Sequence, residues 1–392
     1  MTNVAILFSL ALKGQRSTFH GILDYATKHG PWFCKFEEGR DRGQLPDMAR
    51  TGLSGVIVSG VSYEDAQKIA ALGVPVVFVE PWSYMLEPDF PLAGAPYVRR
   101  DSRAIGALAA RYFQTRGYQH FAYVGEPKGR SWSVERRCGF EEALAAAGYG
   151  CAICDRFTAK ERRSWAADRE RLVAFLWDLP KPAAVFAPMD ARARRVLEAC
   201  AVAGLRVPDE IAVLGVDNDP LLCESTIPTL SSIHTGGFRR GQIAAEMLDA
   251  LMHGWEPRER AVSLPPISVV TRGSTGYAAM SDPTISKAIA FIRNHADAGG
   301  IDVGDIVRAA GCSRRYLELR FRSRLGHSIR DELLGERLER VKTLLSSTNL
   351  SIGEITSRTG FLRESHLGLL FRKATGATML QWRRENREAP DE

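Results

Sequence analysis

The sequence predicts a two-lobed α/β domain built on two parallel sheets, followed by an all-α domain with two helix-turn-helix motifs. Short apolar runs alternate with helical patterns through roughly the first 270 residues, which is typical of βαβ units. The last hundred residues instead carry one helical pattern twice, about 49 residues apart. A chain of 392 residues is also too long for a single hydrophobic core.

The chain begins with VAILFSL, a continuous apolar run that predicts a buried parallel strand over Val4–Leu10. A loop over residues 13–16 and a helix over Thr18–His29 are expected next, and WFCKFEE is the second strand. Further strands are predicted at Gly55–Gly60, Pro75–Glu80, His120–Gly125, Ala183–Pro188 and Ile211–Asp217. The pattern restarts near Gly106, so we interpret it as two doubly wound lobes, between which ligands bind outside the carboxyl ends of the strands.

Several classes of function find no support in the sequence. No G-x-G-x-x-G follows the first strand and no P-loop occurs, so no nucleotide cofactor is expected. A nucleophile elbow and a metal-spaced histidine cluster are also absent from the sequence, which disfavours an enzyme. Cys151 and Cys154 form one C-x-x-C without a partner pair, and ordinary thiols are favoured over zinc.

The sequence also indicates the cellular compartment of the protein. Seven scattered cysteines indicate a reducing environment rather than a disulfide framework. Nothing resembles a signal peptide, and no stretch approaches the ~20 apolar residues of a membrane span. We therefore expect a cytoplasmic protein.

The repeated pattern has the layout of a helix-turn-helix. The copies run over Val303–Gly326 and Ile352–Gly376, each with a short helix, a glycine turn and a second amphipathic helix. Ile306, Ala309 and Ala310 are expected to form the buried stripe of the first helix in copy one, as Ile355 and Thr359 are in copy two. Leu317 with Phe321, and Leu367 with Phe371, repeat one i, i+4 apolar pair on the second helices. The helix between the copies, Ser328 to Ser346, is expected to be a spacer of ~28 Å, near the ~34 Å between successive major-groove faces.

This assignment of the core faces turns the remaining side chains of the second helices outward, where they can reach a major groove. Ser313 and Glu364 fall at the starts of those helices, where they suit capping or the helix dipole. The predicted DNA-binding residues are Ser313, Arg314, Arg315, Tyr316, Glu318, Arg322, Arg363, Glu364, Ser365, His366 and Arg372. A helical bundle with a solvated basic face is the alternative interpretation.

The charge distribution favours DNA as the partner of the C-terminal part. Its residues 282–387 carry 19 Lys and Arg against 12 Asp and Glu, whereas the whole chain has a net charge of +6. The remainder of the chain is therefore close to neutral. The polyanionic partner belongs to the C-terminal region alone.

The string RLERVKTLLSSTNLSIGEITSRTGF, followed by LFRKATG, resembles the DNA-binding domain of the AraC/XylS family of transcription regulators. The resemblance covers about a hundred residues. The family usually has alanine at Val341, proline at Met379, and a basic residue at Leu319 and Leu369. Two of these departures lie in the second helices, where they affect the expected base readout.

The first part of the chain resembles the ligand-binding domain of LacI/GalR regulators and periplasmic sugar-binding proteins. The stretches that carry this resemblance are VERRCGFEEALAAAG, FAPMDARARRVLEACAVAGLRVPDEIAVLGVDND and TLSSIHTGGFRRGQIAAEML. It implies ligand-binding roles for Arg136, Asp190 and Asp217. Met189 and Thr235 replace an asparagine and a glutamine that are usual in that family, so the set of hydroxyl-binding groups is altered.

Sugar recognition also has a physical basis in these residues. Carboxylates and guanidinium groups can each bind neighbouring hydroxyls, and indole rings can cover the apolar face of a sugar. The predicted ligand-binding residues are Arg16, Trp82, Trp132, Arg136, Asp190 and Asp217, at strand ends or in loops of one sheet edge. The alternatives are that the aspartates cap helices, that Arg16 is a surface residue and that both tryptophans are packing residues.

The expected organisation is a sugar-binding domain over residues 1–272, a linker over 273–282 and a DNA-binding domain over 283–387. This domain order resembles that of sugar-responsive activators, which implies D-xylose as the ligand, a homodimer, and contact with RNA polymerase. Nothing precedes the first strand, so the C-terminal pair of motifs must contact the DNA. A sensor of another pentose or small metabolite, or a ligand-independent DNA-binding protein whose first domain only dimerises, remains an alternative.

Overall fold

The structure, a computed structural model, describes residues 2–37, 52–275, 282–295 and 300–386. The described residues up to Val270 form two lobes, each around a six-stranded sheet, and the predicted pair of doubly wound lobes is confirmed. Part of the expected linker, residues 276–281, lies outside the described residues, as does residue 387 at the end of the expected DNA-binding domain.

The first lobe begins with β1 (Thr2–Leu7), α1 (Lys13–His29), β2 (Trp32–Glu37), β3 (Gly55–Val58), α2 (Tyr63–Ala70), β4 (Val76–Val79), a 3-10 turn (Ser83–Leu86) and β5 (Tyr97–Arg100). The second lobe follows with α3 (Ser102–Gln114), β6 (His120–Val124), α4 (Ser131–Ala145), β7 (Ala152–Cys154), α5 (Ala159–Arg163), α6 (Trp165–Asp178), β8 (Ala183–Phe186), α7 (Asp190–Ala203), β9 (Ile211–Val216), α8 (Pro220–Glu224) and β10 (Ser231–His234). The chain then forms α9 (Gly237–Met252), β11 (Ala261–Leu264) and β12 (Ser268–Val270).

The strand order shows how the lobes are joined. The first sheet is β11-β5-β4-β3-β1-β2 with every pair parallel, and the second is β12-β10-β9-β8-β6-β7 with only β10 and β12 antiparallel among the described pairs. The chain therefore passes between the lobes after β5, after β10 and after β11. α9 returns to the first lobe and packs along α1, so the crossings lie side by side at the lobe boundary.

One predicted boundary in the first lobe is wrong. Residues 13–16 are not a loop, because α1 starts at Lys13 and the N–H groups of Gln15 and Arg16 donate to the carbonyl of Leu12 at 3.0 and 3.1 Å. Lysine, glutamine and arginine are good helix formers, and they extend the helix by a turn before its apolar stripe begins. Arg16 consequently lies on a helix.

The C-terminal domain consists of seven helices in its described residues. They are α10 (Pro283–His295), α11 (Val303–Ala310), α12 (Arg314–Leu325), α13 (Ile329–Ser347), α14 (Ile352–Arg358), α15 (Glu364–Thr375) and α16 (Met379–Asn386). The two helix-turn-helix motifs are α11–α12 and α14–α15. Gly311 ends α11 with φ of +69°, a left-handed conformation that glycine adopts without a steric cost.

Each motif has its own apolar core, and α13 joins them. Leu317 and Phe321 are fully buried in the first core, and Leu367 and Phe371 in the second, as the repeated spacing predicts. The first turns of α13 pack in the first core and its later turns pack in the second. The helix therefore holds the two motifs at a fixed separation. Ala309 is exposed, which corrects the expected buried stripe; Ile306 and Ala310 fill that position without it.

The helical domain touches both lobes. α13 packs against β12 of the second lobe, where Arg116 Nη2 lies 3.3 Å from Glu336 Oε1. α16 packs against α9 of the first lobe. A change in the angle between the lobes would therefore act on the helical domain at two places. None of the helices in the described stretches of the chain is both long and apolar enough to cross a bilayer.

Candidate functional site

A cavity of about 840 Å³ lies between the lobes, at the carboxyl ends of their strands. Its polar wall includes residues that directly follow strands, namely Ser59 after β3, Glu80 after β4 and Asp217 after β9, and Arg100, which ends β5. Two tryptophans, Trp82 and Trp132, supply aromatic surface. The cavity therefore combines charged hydrogen-bonding groups with indole rings, as the recognition of a small polyol requires.

A network of opposite charges forms the floor of the cavity. Glu80 Oε1 accepts a hydrogen bond from the backbone N–H of Arg100 at 2.9 Å and lies 3.2 Å from Nη1 of Arg240. The Arg100 side chain lies 3.1 Å from the same oxygen through Nε and also pairs with Asp217 through Nη1. Burial favours the protonated form of Glu80, but Arg100 and Arg240 together hold its pKa below the ordinary value. Glu80 is therefore ionised, and Arg100 joins the lobes through its two carboxylates.

Two of the carboxylate residues that line the cavity, Glu80 and Asp217, have an unusual backbone conformation. Glu80 has φ of +53° and Asp217 has φ of +107°, values that L residues other than glycine adopt at a cost. Such strain persists where surrounding contacts hold the residue, and here the guanidinium group of Arg100 holds both side chains. Strained residues concentrate at functional sites, and these two face one cavity from opposite lobes.

Arg136 is the most buried charge of the cavity. It lies in α4, not in a loop, with no exposed surface, and its Nη1 donates to the carbonyl oxygen of Pro188. Nε and Nη2 have no hydrogen-bond partner among the described residues. Burial, reinforced by the neighbouring Arg100, lowers the pKa of Arg136 to about 10. A buried donor without an acceptor costs free energy, which a ligand oxygen can offset.

Aromatic surface lies beside these charges. The guanidinium group of Arg136 lies 5.0 Å from the ring centre of Trp132, in the first turn of α4 and therefore not in a loop. Trp82 lies in the loop after β4, with Arg130 of the opposite lobe 4.3 Å above its ring. The structure thus brings together four predicted ligand-binding residues, Trp82, Trp132, Arg136 and Asp217.

The other two predicted ligand-binding residues do not line the cavity. Arg16 lies 3.5 Å from Asp219, and its Nη1 donates to the carbonyl oxygens of Leu10 and Ala11. Next to it, Lys13 Nζ donates to the carbonyl oxygen of Asn218 at 2.9 Å. The first turn of α1 is thus linked to the loop after β9, and Arg16 holds the lobes together beside the cavity.

Asp190 lies behind the cavity wall at the start of α7, where it is buried. Its Oδ2 accepts from the N–H of Asp219 at 2.8 Å, and its Oδ1 from the hydroxyl of Ser232 at 2.5 Å. Burial and the charge of Asp217 raise the pKa of Asp190 to about 8. This carboxyl group therefore positions the loop of residues 217–219, and Asp217 extends from that loop into the cavity.

Glu80, Arg100 and Arg240 line the cavity but were not among the sequence candidates. Glu80 could have been identified from the sequence, because it ends the apolar run PVVFVE in the same way as Asp217 ends the run IAVLGVD. Arg100 ends β5, whose YVRR sequence is too polar and short to indicate a strand. Arg240 lies in α9, which returns to the first lobe from the second, and no local pattern places it there.

The second helices of the two motifs present the predicted DNA-binding residues to solvent. All of them are exposed except Glu318. Ser313 caps α12 by accepting from the N–H of Tyr316 at 3.3 Å, whereas Arg363 precedes α15 without a side-chain cap. Two cationic helix faces on one rigid spacer have the layout of a double major-groove reader.

Two of the predicted DNA-binding side chains, Tyr316 and Glu318, do not simply project into solvent. The Tyr316 hydroxyl accepts from Arg320 Nε at 3.2 Å, and that guanidinium group lies 2.9 Å from Asp282 at the start of the helical domain. Glu318 is half-buried, with Oε2 enclosed and lacking a hydrogen-bond partner among the described residues. The N-terminal arginines Arg314 and Arg315 are therefore the freer base-reading candidates of copy one.

Burial raises the pKa of the Cys151 thiol to about 12. Within the described ranges of the chain, no group of three or more potential ligands has the geometry of a metal site.

Comparisons with known proteins agree with this arrangement. A periplasmic binding protein-like domain matches residues 110–275, and a helix-turn-helix domain matches residues 306–385. The xylose operon regulatory protein of Escherichia coli (strain K12) is 31% identical over 98% of this chain and 97% of its own length. The protein of that name from Haemophilus influenzae is 28% identical, with 97% of each chain covered. A solved structure of the xylose-binding transcription activator xylR matches 98% of both chains with a TM-score of 0.62 and 30% identity.

Proposed function

Because the chain belongs to the family of xylose operon regulatory proteins, which are transcription regulators and not enzymes, we propose that it activates transcription in response to D-xylose. The sugar binds in the cavity between the lobes, and the tandem helix-turn-helix motifs bind double-stranded DNA. One observation above all supports the proposal. The cavity contains two indole rings and the fully buried Arg136, two of whose nitrogens lack a hydrogen-bond partner among the described residues, and the same chain carries two cationic helices, α12 and α15, of helix-turn-helix motifs.

Each group of the cavity has a role in this proposal. Nε and Nη2 of Arg136 donate hydrogen bonds to two neighbouring hydroxyl groups of the sugar. These hydroxyl oxygens are acceptors that the described residues of the protein do not provide. Asp217 and Glu80 accept hydrogen bonds from hydroxyls, and Trp82 and Trp132 cover the C–H face of the ring. Asp190 and Arg16 act as positioning residues, through the loop of residues 217–219.

The DNA-binding role is assigned to the outward faces of α12 and α15. Arg314, Arg315 and Arg322 in the first motif, with Arg363 and Arg372 in the second, contact phosphates or guanine. The remaining polar side chains of those faces, Ser313, Tyr316, Glu318, Glu364, Ser365 and His366, contribute hydrogen bonds to bases or the backbone. The proposed domain bounds are residues 1–272 and 283–387, with residues 273–282 as the linker.

The contacts of the helical domain with both lobes support a coupling between the two sites. Sugar that binds both walls of the cavity favours the closed arrangement of the lobes, and closure moves the contact at Glu336 relative to the contact at α16. A ligand shifts such an equilibrium only through its difference in affinity for the two states, and typical coupling is about 1–3 kcal/mol. We place the active form in the cytoplasm as a homodimer that contacts RNA polymerase.

Calorimetry on the full chain tests the ligand assignment. We expect D-xylose to bind, and D-ribose, L-arabinose and a purine base to bind at least tenfold more weakly, because the fixed charges of the cavity select one hydroxyl arrangement. Saturating D-xylose should change DNA affinity about 5- to 150-fold. Equal DNA affinity with and without the sugar, together with an unchanged rate of transcription in a purified system, would contradict the coupling.

Replacing Arg314 or Arg315 with alanine should weaken DNA binding, and the salt dependence will show how. Loss of a phosphate contact lowers the slope of log K against log salt by about one, whereas loss of a base contact costs about 1–3 kcal/mol at one base pair. The control is Arg206→Ala, an exposed arginine of the second lobe. Wild-type affinity for both α12 variants at moderate salt would show that this face of the helix is wrongly assigned.

A further inference from the structure

Two leucines occupy the most outward position of the two reading helices. Leu319 in α12 is 60% exposed and Leu369 in α15 is 70% exposed. Successive residues of an α-helix are about 100° apart, so a residue two positions from a buried one lies about 200° away from it. Leu319 stands between the fully buried Leu317 and Phe321, so it points directly away from the core. Leu369 has the same relation to its own neighbours, two positions away on either side.

A single exposed leucine is ordinary and needs no explanation. Here, however, the exposed leucine is repeated at equivalent positions 50 residues apart. Four residues of α12 are identical to their counterparts in α15, and two of them, Leu317 and Phe321, are core residues. The other two are Leu319 and Arg322, both exposed. The two motifs thus share, outside their cores, only an apolar side chain and an adjacent cation along these helices.

The neighbours of each leucine indicate what covers it. Arg315 and Arg322 lie four residues before and three residues after Leu319, on the same face of the helix and both exposed. Arg372 has the same position relative to Leu369. An apolar side chain next to cations complements a surface that carries phosphates at its edges and a small apolar group within. The major groove has that composition wherever the C5-methyl group of thymine projects into it.

We propose that Leu319 and Leu369 each contact the methyl group of a thymine, one in each of two successive major-groove segments. The inference rests on the proposed DNA binding and adds a base preference to it. Because α13 holds the motifs at a fixed separation, the two thymines lie about one helical turn, 10–10.5 base pairs, apart.

The test combines base and protein changes. A binding site is first selected from random duplexes with the full-length protein and D-xylose, and each thymine of that site is then replaced singly by uracil, which lacks only the methyl group. We expect two uracil substitutions, about one turn apart, to raise the wild-type Kd about three- to fivefold each, as loss of one buried methyl contact does. Fluorescence anisotropy at fixed salt measures the Kd.

Leu319→Ala should remove the sensitivity to uracil at one of the two positions and leave the other unchanged, and Leu369→Ala should do the reverse. Neither side chain packs in a core, so both variants should fold, and circular dichroism checks this. Leu380→Ala, which removes an exposed leucine of α16, is the matched control and should keep both sensitivities. A further variant, Leu319→Arg, should select guanine in place of thymine at its position, since arginine pairs with O6 and N7 of guanine.

The outcomes separate this inference from the function on which it rests. If wild-type protein selects a site but no thymine-to-uracil change affects binding, or if both alanine variants keep the wild-type sensitivities, the leucines do not contact methyl groups. If DNA binding is unaltered and only transcription with purified polymerase falls, the leucines contact a protein instead, which also overturns the inference. If the full-length protein selects no site at all, the proposed function itself fails.

Discussion

Replacing Glu80 with glutamine is expected to destabilise the first lobe by about 3–5 kcal/mol and to abolish the response to D-xylose. The Glu80 carboxylate is the common partner of Arg100 and Arg240, and Arg240 is almost completely buried. Glutamine preserves the shape of the side chain but not its charge, so Arg240 loses this carboxylate partner in a low-dielectric site and Arg100 keeps only its pair with Asp217. Breaking a buried pair on one side costs more than the pair contributes, because the remaining charge stays buried.

Thermal unfolding of the wild type and of Glu80→Gln measures the first effect, and calorimetry with D-xylose measures the second. Glu64→Gln is the matched control, because Glu64 pairs with Lys68 at the surface and exposed pairs contribute about 0–1 kcal/mol. A Glu80→Gln protein with wild-type stability and sugar affinity would show that the arginines are compensated elsewhere.

The same charge network makes a prediction about pH. The folded-state pKa of Glu80 is lowered, so ionised Glu80 stabilises the folded protein above the unfolded pKa. This contribution is lost as the pH falls from the ordinary value of 4.5 through the lowered folded value. Glutamine does not titrate, so the stability difference between the wild type and Glu80→Gln should narrow over that acidic range.

The pattern of apolar runs was sufficient to predict the two lobes, because their central strands are buried on both faces and are therefore uninterrupted. β3, β4, β6, β8 and β9 are of this kind, and each lies within its predicted range. β5 and β10 read YVRR and SSIH, and neither was predicted. Both strands carry polar side chains with specific partners, Arg100 in the cavity and Ser232 on Asp190, so their local sequence lacks the apolar pattern of a strand.

The candidate site could be predicted from strand ends at Asp217, whereas Arg136 was implied by the family resemblance, and Trp82 and Trp132 by the chemistry of sugar recognition. Asp217 follows a strong apolar strand, so the rule for parallel sheets locates it. Arg240 reaches the cavity because α9 leaves the second lobe and packs on α1, where Arg240 Nη2 donates to the carbonyl of Gly14 at 2.7 Å. That placement depends on the chain crossing between lobes, which no short stretch of sequence encodes.

Arg136→Met is expected to have the opposite effect on stability from Glu80→Gln, although both variants lose sugar binding. The guanidinium group of Arg136 is completely buried, and burial lowers its pKa to about 10. Two of its nitrogens have no partner among the described residues, and each buried donor left unsatisfied costs about 1–3 kcal/mol. Methionine fills a similar volume without that cost. It gives up the contact with Trp132, which contributes about 0.5–2 kcal/mol, and the hydrogen bond to Pro188.

When these contributions are added, we expect the sugar-free Arg136→Met protein to be about 1 kcal/mol more stable than the wild type. We also expect its Kd for D-xylose to rise at least 100-fold, because hydrogen bonds to a charged group contribute about 1.5–3 kcal/mol each. Thermal unfolding without sugar and calorimetry with sugar measure the two changes. The control is Arg137→Met: Arg137 is the next residue of α4 but pairs with Asp155, so its loss should lower stability and leave sugar binding intact. If Arg136→Met is destabilised like the control, Arg136 is a structural residue of the second lobe. If Arg136→Met is more stable than the wild type and no longer binds the sugar, the unsatisfied guanidinium group destabilises the sugar-free protein. The sugar then favours one arrangement of the lobes because it supplies the missing acceptors.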